Sequence, residues 1–253
     1  MLRTRIIPVL LLQDNGLVKG KQFKNHKYIG DPINTVKIFN EKEVDELCFL
    51  DISASNKNQN PNFDLIKDIA SEAFMPFSYG GGIKNVEQIE KLFNIGVEKV
   101  IINTTAFFNA RVVQEAVKLA GSQSIVISID VRGSLFGTYE VYVSNGQIKT
   151  KLDPVTYAKK MQDYGVGEII INLIDREGTG KGYDLELLKI VSQAVDIPVV
   201  GLGGAGCLQD LVDAKNQTNV SGLAAGNLFV FHGKHKAVLI TYPKYEELEK
   251  LFN

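Results

Sequence analysis

Short apolar runs recur along this chain and alternate with segments whose apolar positions fall three and four residues apart. The first kind reads as buried strand and the second as amphipathic helix. Ile6 to Leu12 is the first strand, and Asp31-Pro32 supplies an N-cap followed by proline at the first helical position, opening a helix through about Lys42. Glu46 to Ile52 is a strand, followed by a helical stripe of Leu65, Ile66, Ile69 and Ala73. Pro76 to Gly80 leads to a helix over Val86 to Asn94 that Gly96 stops. Lys99 to Asn103 leads to a helix over Ala110 to Ala120. The same order then repeats, with strands at Ile125 to Asp130, Glu168 to Ile174, Pro198 to Gly203 and Gly222 to Ala225. Helices over Pro154 to Tyr164, Leu185 to Ala194, Leu208 to Lys215 and Pro243 to Phe252 complete the alternation. An insertion at about 135–152 holds a hairpin, Tyr139 to Thr150, that turns at Asn145-Gly146. Alternation of this length without a linker predicts an α/β fold, a closed (β/α)8 TIM barrel spanning 1–253 as one domain.

The two halves, about 1–120 and 121–253, resemble each other. Phe49-Leu50-Asp51-Ile52 matches Ile171-Asn172-Leu173-Ile174-Asp175, and Tyr79-Gly80-Gly81-Gly82-Ile83 matches Gly201-Leu202-Gly203-Gly204-Ala205. Val100 to Phe107 matches Gly222 to Phe229. The period is far longer than a solenoid unit, so this is a duplicated half-barrel. Superposing the first strands places Leu11 opposite Asp130. A duplicated site invites paired carboxylates for acid/base chemistry, and a leucine moves no proton.

Composition narrows the class. The chain has 253 residues, 45% of them hydrophobic, and a net charge of −1, enough for a large core and too neutral for a nucleic-acid or anionic-membrane footprint. The run Val9 to Leu12 is too short for a signal sequence or a membrane span. Cys48 and Cys207 lack metal-ligand spacing, so no metal and no cofactor is expected, and a reducing cytoplasmic setting is the simple reading.

In barrels of this kind chemistry sits where strands exit. The exits carry Asp51, Gly80-Gly81-Gly82, Asn103-Thr104, Asp130, Asp175, Gly203-Gly204 and Gly226-Asn227. Glycine lets an anion approach backbone N–H groups, and a following helix N-terminus favours negative charge. Two equivalent glycine sites suggest a substrate with two phosphates, or a large one gripped at both ends; the plainer alternative is a pair of tight turns. Arg5, Glu46, Lys99 and Glu168 each open a strand, and facing inward they would make a ring of ion pairs at the barrel floor. Lys19, in a loop with Gly16 and Gly20, is placed to close over an anion, although an isolated loop lysine is usually just solvated. His232 and His235 lack metal-ligand company and read as loop residues or phosphate-end contacts.

Taken together, Arg5-Ile6-Ile7, Leu17-Val18-Lys19-Gly20, Asp45 to Ile52, Gly80-Gly81-Gly82-Ile83, Ile102-Asn103-Thr104, Gly121-Ser122-Gln123, Ile129-Asp130, Ile174-Asp175-Arg176-Glu177-Gly178-Thr179 and Gly203-Gly204-Ala205-Gly206 carry a family pattern. From end to end the chain resembles the cyclase subunit of imidazole glycerol phosphate synthase. The resemblance implies a lyase/synthase barrel that forms a heterodimer with a glutaminase and inserts the glutaminase's ammonia into a bis-phosphorylated substrate. It implies general acid and base roles for two strand-end aspartates, of which Asp130 carries over while the other falls on Leu11. It implies substrate or phosphate contacts at Lys19, Asp51, Gly82, Asn103, Thr104, Asn172, Asp175, Gly178, Thr179, Gly203, Gly204, Gly226 and Asn227. It also implies an ammonia gate at Arg5, Glu46, Lys99 and Glu168.

The departures cluster at the same rim. The family's Thr-Ser is Asn172-Leu173 here, its Ser before Gly-Gly is Leu202, and its Asp-Gly-Thr is Glu177-Gly178-Thr179. Asp14 lies three residues past Leu11, in the loop. With Val9 to Leu12, the tail Leu228 to Ile240 resembles the branch associated with bacterial surface-sugar (lipopolysaccharide, O-antigen) amidation. Three readings follow: an ammonia-using synthase subunit acting on a sugar-linked substrate, an ordinary histidine-pathway cyclase with a displaced acid such as Asp14 or Asp51, or a non-catalytic partner that activates the glutaminase and passes ammonia on.

Overall fold

A computed structural model describes residues 4–57, 59–134, 137–233 and 235–252. Eight parallel strands form the barrel: β1 (Arg5–Gln13), β2 (Leu47–Asp51), β3 (Phe77–Gly80), β4 (Lys99–Ile102), β5 (Ile125–Gly133), β6 (Glu168–Leu173), β7 (Val199–Leu202) and β8 (Gly222–Ala225). Each pairs with the next in sequence, and β8 returns to β1 through Arg5↔Gly222 to Pro8↔Ala225, which closes the sheet. The outer helices are α1 (Pro32–Glu41), α2 (Phe63–Glu72), α3 (Val86–Ile95), α4 (Ala110–Ala120), α5 (Pro154–Asp163), α6 (Leu185–Ser192), α7 (Leu208–Gln217) and α8 (Tyr245–Phe252). The expected (β/α)8 barrel is therefore the fold, and among the described residues no helix is long and apolar enough to cross a membrane.

Local signals explain the boundaries. The Asp31 side chain accepts from the Asn34 N–H with Pro32 inside the first turn, and Asp153 accepts from Val155 and Thr156 with Pro154 in the same role. Gly96 ends α3 at φ +114, a left-handed conformation that glycine adopts without a Cβ penalty.

A strand's side chains alternate between its faces, and here the two parities build different layers. Ile6, Leu10, Phe49, Ile127 and Ile129 face the helices and belong to the annular core. Ile7, Val9, Cys48, Ile101, Val126, Ile170 and Val200 pack together inside the barrel, with Leu11 and Leu50 against them. The floor residues Arg5, Glu46, Lys99 and Glu168 and the rim residues Leu11, Leu50, Asn103, Asp130 and Asn172 share that inward parity.

Two features depart from the sequence expectation. The segment after β1 is an antiparallel hairpin, Gly16–Lys21 with Lys24–Gly30, and its first arm pairs with β1. Its lysines and glycines mask the strand period, and the pairing partner supplies what local propensity lacks. Short helices also follow three strands directly, at Ile52–Asn56, Thr104–Phe108 and Asn227–Val230. The later hairpin pairs Tyr139–Val143 with β5 and with Ile148–Lys149, turning through Ser144, Asn145 and Gly146 at positive φ. The start of that insertion, 135–136, lies outside the described residues.

Candidate functional site

At the C-terminal ends of the strands lies a cavity of about 400 Å3 with two unlike walls. One is apolar, formed by Leu11, Leu50 and Leu202 with Val9 and Ile101 beneath. The other carries Asp130, Asn103 and Asn172. The register makes the contrast sharp: Leu11 pairs with Leu50 across β1 and β2, and Asp130 pairs with Asn172 across β5 and β6.

Asp130 is 7% exposed, and each carboxylate oxygen accepts one amide N–H: Asn172 Nδ2 donates to Oδ1 at 3.2 Å and Asn103 Nδ2 to Oδ2 at 3.1 Å. Asn103 Nδ2 also donates to the Ser128 carbonyl oxygen at 2.9 Å, which fixes the amide plane. No ion pair reaches Asp130 among the described residues. Burial pushes its carboxyl up to about 7; the two amide hydrogen bonds oppose the rise and the nearby Glu177 charge adds to it. A carboxyl in that state can take or give a proton near neutral pH.

Lys19 is not the loop lysine that the sequence suggested. It lies on the first hairpin's inner arm, 2% exposed, and its ammonium donates to the Val9 carbonyl oxygen at 2.5 Å. Antiparallel pairing of Leu11↔Val18 and Leu12↔Leu17 carries it over the barrel mouth and out of water. The Lys19 amine fills the space that a Cβ at residue 226 would need, so Gly226 is glycine to admit it. Burial lowers its pKa to about 8, against the attraction of Glu177.

The other expected residues divide between this cavity and a second one. Asp51, Gly82, Asn103, Thr104 and Asn172 line the first. Asp51 also caps the short helix after β2, accepting from Ser53 N at 2.9 Å, Ser53 Oγ at 2.7 Å and Ala54 N at 3.0 Å. Gly178, Thr179 and Asn227 line a neighbouring cavity of about 640 Å3, together with His232 and the exposed Cys207. Asn227 Nδ2 donates to the Gly178 carbonyl oxygen at 3.2 Å. Gly203 and Gly204 line neither; a Cβ on Gly203 would meet Asn172 Oδ1 at 2.9 Å, and one on Gly204 would strike the Gly182 carbonyl. Asp175 accepts from Gly133 N at 2.9 Å and faces Arg132. Asp14 sits on the turn after β1, outside the cavity lining, and pairs with Lys57, which is part of that lining. Cys48 is buried in the barrel, where desolvation pushes its thiol up to about 12. No cluster among the described residues could hold a metal ion.

Sequence reading undervalued Glu177, which lines the first cavity beside Asp130. The signal was present in its replacement of the family's aspartate, but only the folded turn brings it over the mouth. Phe23 and His26 of the first hairpin also line this cavity, and the Phe23 ring lies against the Gly146 turn of the second hairpin.

At the opposite end Arg5, Glu46, Lys99 and Glu168 form a closed ring. Arg5 bonds Glu46 at 2.6 Å and Glu168 at 2.5 Å, and Lys99 reaches the same two acids at 2.9 and 3.4 Å. Each cation bridges both acids, so neither buried carboxylate is left uncompensated.

A closed (β/α)8 barrel with a rim carboxyl, glycine turns and an ionic floor is an enzyme-type barrel, with its site at the strand exits. The sequence pattern of the histidine biosynthesis protein family matches residues 5–236. The chain is 51% identical over 249 residues, 98% of its length and 99% of the relative's, to a Pseudomonas aeruginosa protein provisionally named imidazole glycerol phosphate synthase subunit hisF2. It is 49% identical over 253 residues, the whole of both chains, to a Leptospira interrogans protein provisionally named subunit HisF of the same synthase. Identity is 40% over 231 residues, 91% of this chain and 92% of the relative, to imidazole glycerol phosphate synthase subunit HisF of a Hydrogenobaculum species. The chain belongs to this family, among the HisF-type barrels.

The Asp130 environment has a consequence for stability. Its folded pKa of about 7 lies above the unperturbed 3.8, so between those values the folded state holds a proton that the unfolded state has released. The contribution is fully present below pH 3.8 and is lost as pH rises through 7. Asp130→Asn should therefore raise the melting temperature relative to the parent more at pH 8 than at pH 4.5. Thermal melts at both pH values check this, and an equal difference at both would contradict a buried, titrating Asp130.

Proposed function

We propose that this chain is the ammonia-using synthase subunit of a heterodimer with a glutaminase, acting in the cytoplasm on a phosphorylated or sugar-linked substrate. The observation that carries the reading is the barrel's single inward-facing column. An ionic ring lies at one end, an apolar layer in the middle, and one proton-transferring carboxyl beside an apolar wall at the other. The ring is the floor gate where the glutaminase docks and ammonia enters, and Asp130 serves as acid/base. The relatives' names support the coupling, because they are subunits of imidazole glycerol phosphate synthase. Leu11 and Leu202, which line the cavity in place of the family's polar residues, support a substrate other than the histidine-pathway one, and the resemblance to the surface-sugar branch supports an acetamidino-sugar product.

Phosphate or another anionic group of the substrate is held at two places, Gly82 with Asn103-Thr104, and Gly204 with Gly226-Asn227, with Gly178 and Thr179 beside the second. Lys19 lies behind Gly226 and supplies positive charge there. Inorganic phosphate soaked into crystals should occupy both places; both staying empty at high phosphate would count against them.

Reversing one charge of the ring tests the floor. Lys99→Glu leaves Glu46 and Glu168 facing a third acid, so glutamine-dependent turnover by the co-purified complex should fall while the fold persists. Unchanged turnover at matched melting temperature would remove the gate from the proposal.

The standard cyclization tests the substrate reading. Loss of a positioned acid or base costs on the order of a hundredfold to ten-thousandfold in rate. With free ammonium the unmodified chain should turn over the histidine-pathway substrate poorly or not at all, and Leu11→Asp should recover little, because Asn172 and Leu202 still shape the cavity. Robust cyclization by the unmodified chain would favour the histidine pathway instead.

A further inference from the structure

We infer that Glu177 is the second proton-transfer group of this site, working with Asp130 in the role that Leu11 cannot fill. The inference deepens the synthase reading above and rests on it.

Among the described residues, the inward and rim acids of this barrel have partners, with one exception. Glu46 and Glu168 are paired by Arg5 and Lys99. Asp130 is held by two amides, Asp51 by the start of a short helix, and Asp175 by the Gly133 N–H. Among the described residues the Glu177 carboxylate makes no hydrogen bond and no ion pair, although it is only partly exposed and lines the cavity. A desolvated carboxylate without a partner costs stability, and such groups concentrate at working sites.

The backbone around Glu177, by contrast, is held on several sides. Its N–H donates to the Leu173 carbonyl oxygen at 3.1 Å, and its carbonyl oxygen accepts from Gln22 N at 2.9 Å. The next residue, Gly178, packs directly on the Gly20 carbonyl. The turn is therefore anchored to β6 on one side and to the first hairpin on the other, while its acid is free to meet a substrate.

The charged group that acts on Glu177 is Lys19 from the hairpin, and the Glu177 charge in turn acts on Asp130 from β5; His26, Asp51, Lys57 and Lys84 line the same cavity. Burial raises the Glu177 carboxyl and Lys19 opposes the rise. Two carboxyls within mutual influence lose their protons as a pair, one held longer than the other. That is the condition for one acid and one base at a single pH.

The step balances with these two groups alone. As nitrogen attacks the substrate carbon, the N–C bond forms and the Glu177 carboxylate, kept ionised by Lys19, takes a proton from the nitrogen. Protonated Asp130 gives its proton to the departing heteroatom as that atom's bond to carbon breaks. Proton exchange between the two carboxyls then restores the starting state.

Two measurements decide it. In the free full-length chain, carboxyl 13C NMR from pH 4 to 9 should show Asp130 and Glu177 titrating as a coupled pair, and Glu177→Gln should move the Asp130 midpoint down. An unmoved midpoint would overturn the pairing. In the glutaminase complex with free ammonium, Glu177→Gln should cut kcat on the order of a hundredfold or more with KM nearly unchanged, and Glu177→Asp should recover part of the loss. Parent-like kcat in Glu177→Gln would overturn the catalytic role. If the parent complex turned over no candidate substrate, the synthase reading would fail, and the NMR arm would still judge the pairing without it.

Discussion

The alternation of side chains along a closed parallel ladder is the constraint on which this structure depends. Once β8 pairs with β1, every strand has fixed neighbours and every second residue must enter the barrel. On β1 that parity reads Arg5, Ile7, Val9, Leu11; on β2 it reads Glu46, Cys48, Leu50; on β6 it reads Glu168, Ile170, Asn172. One register therefore sets the ionic floor, the apolar middle and the rim at once. A slip of a single residue would put Arg5 and Glu168 against the helices and Ile6 in the barrel, so floor and site stand or fall together.

The two halves use the same frame for opposite chemistry. In one, a Leu11–Leu50 pair covers the barrel mouth; in the other, Asp130–Asn172 occupies the corresponding register. The contrast sets the electrostatics of the site. Asp130 sits opposite hydrocarbon and is contacted by amides, with no cation at hydrogen-bonding distance among the described residues, so desolvation dominates and its proton is held to near neutrality. The floor resolves the same problem with opposite charges, where two cations bridge two acids. Buried ion pairs are weak sources of net stability, and the ring's worth lies more in its fixed geometry.

The hairpins join the halves over the site. The first, from the N-terminal half, is tied to the turn after β6: Gln22 Nε2 donates to the Asp175 carbonyl oxygen at 2.7 Å. The second, from the C-terminal half, is tied to the short helices after β2 and β4 of the N-terminal half: Asn145 Nδ2 donates to the Ile52 carbonyl oxygen at 2.9 Å, and Ser144 N to Thr104 Oγ1 at 3.0 Å. Each hairpin thus fastens to the other half, and Phe23 meets Gly146 between them. The roof over Asp130, Lys19 and Glu177 is a product of both repeats.

By itself the sequence determined the barrel, its helix boundaries and most rim positions, because strand period, Asp-Pro caps and stop glycines are local signals that long-range packing did not override. Leu11 opposite Asp130 was legible from the repeat alone. Tertiary structure decided the rest. The Gly16–Gly30 hairpin has no clear period of its own and exists because β1 offers it a ladder. That pairing buried Lys19, which in a glycine-flanked segment read as a loop lysine able to close over an anion. Glu177 gained its place only when the turn after β6 was bound to that hairpin, a contact between residues over 150 positions apart that no local pattern encodes. The raised proton affinity of Asp130 likewise comes from desolvation, a property of the closed barrel and of no stretch of chain.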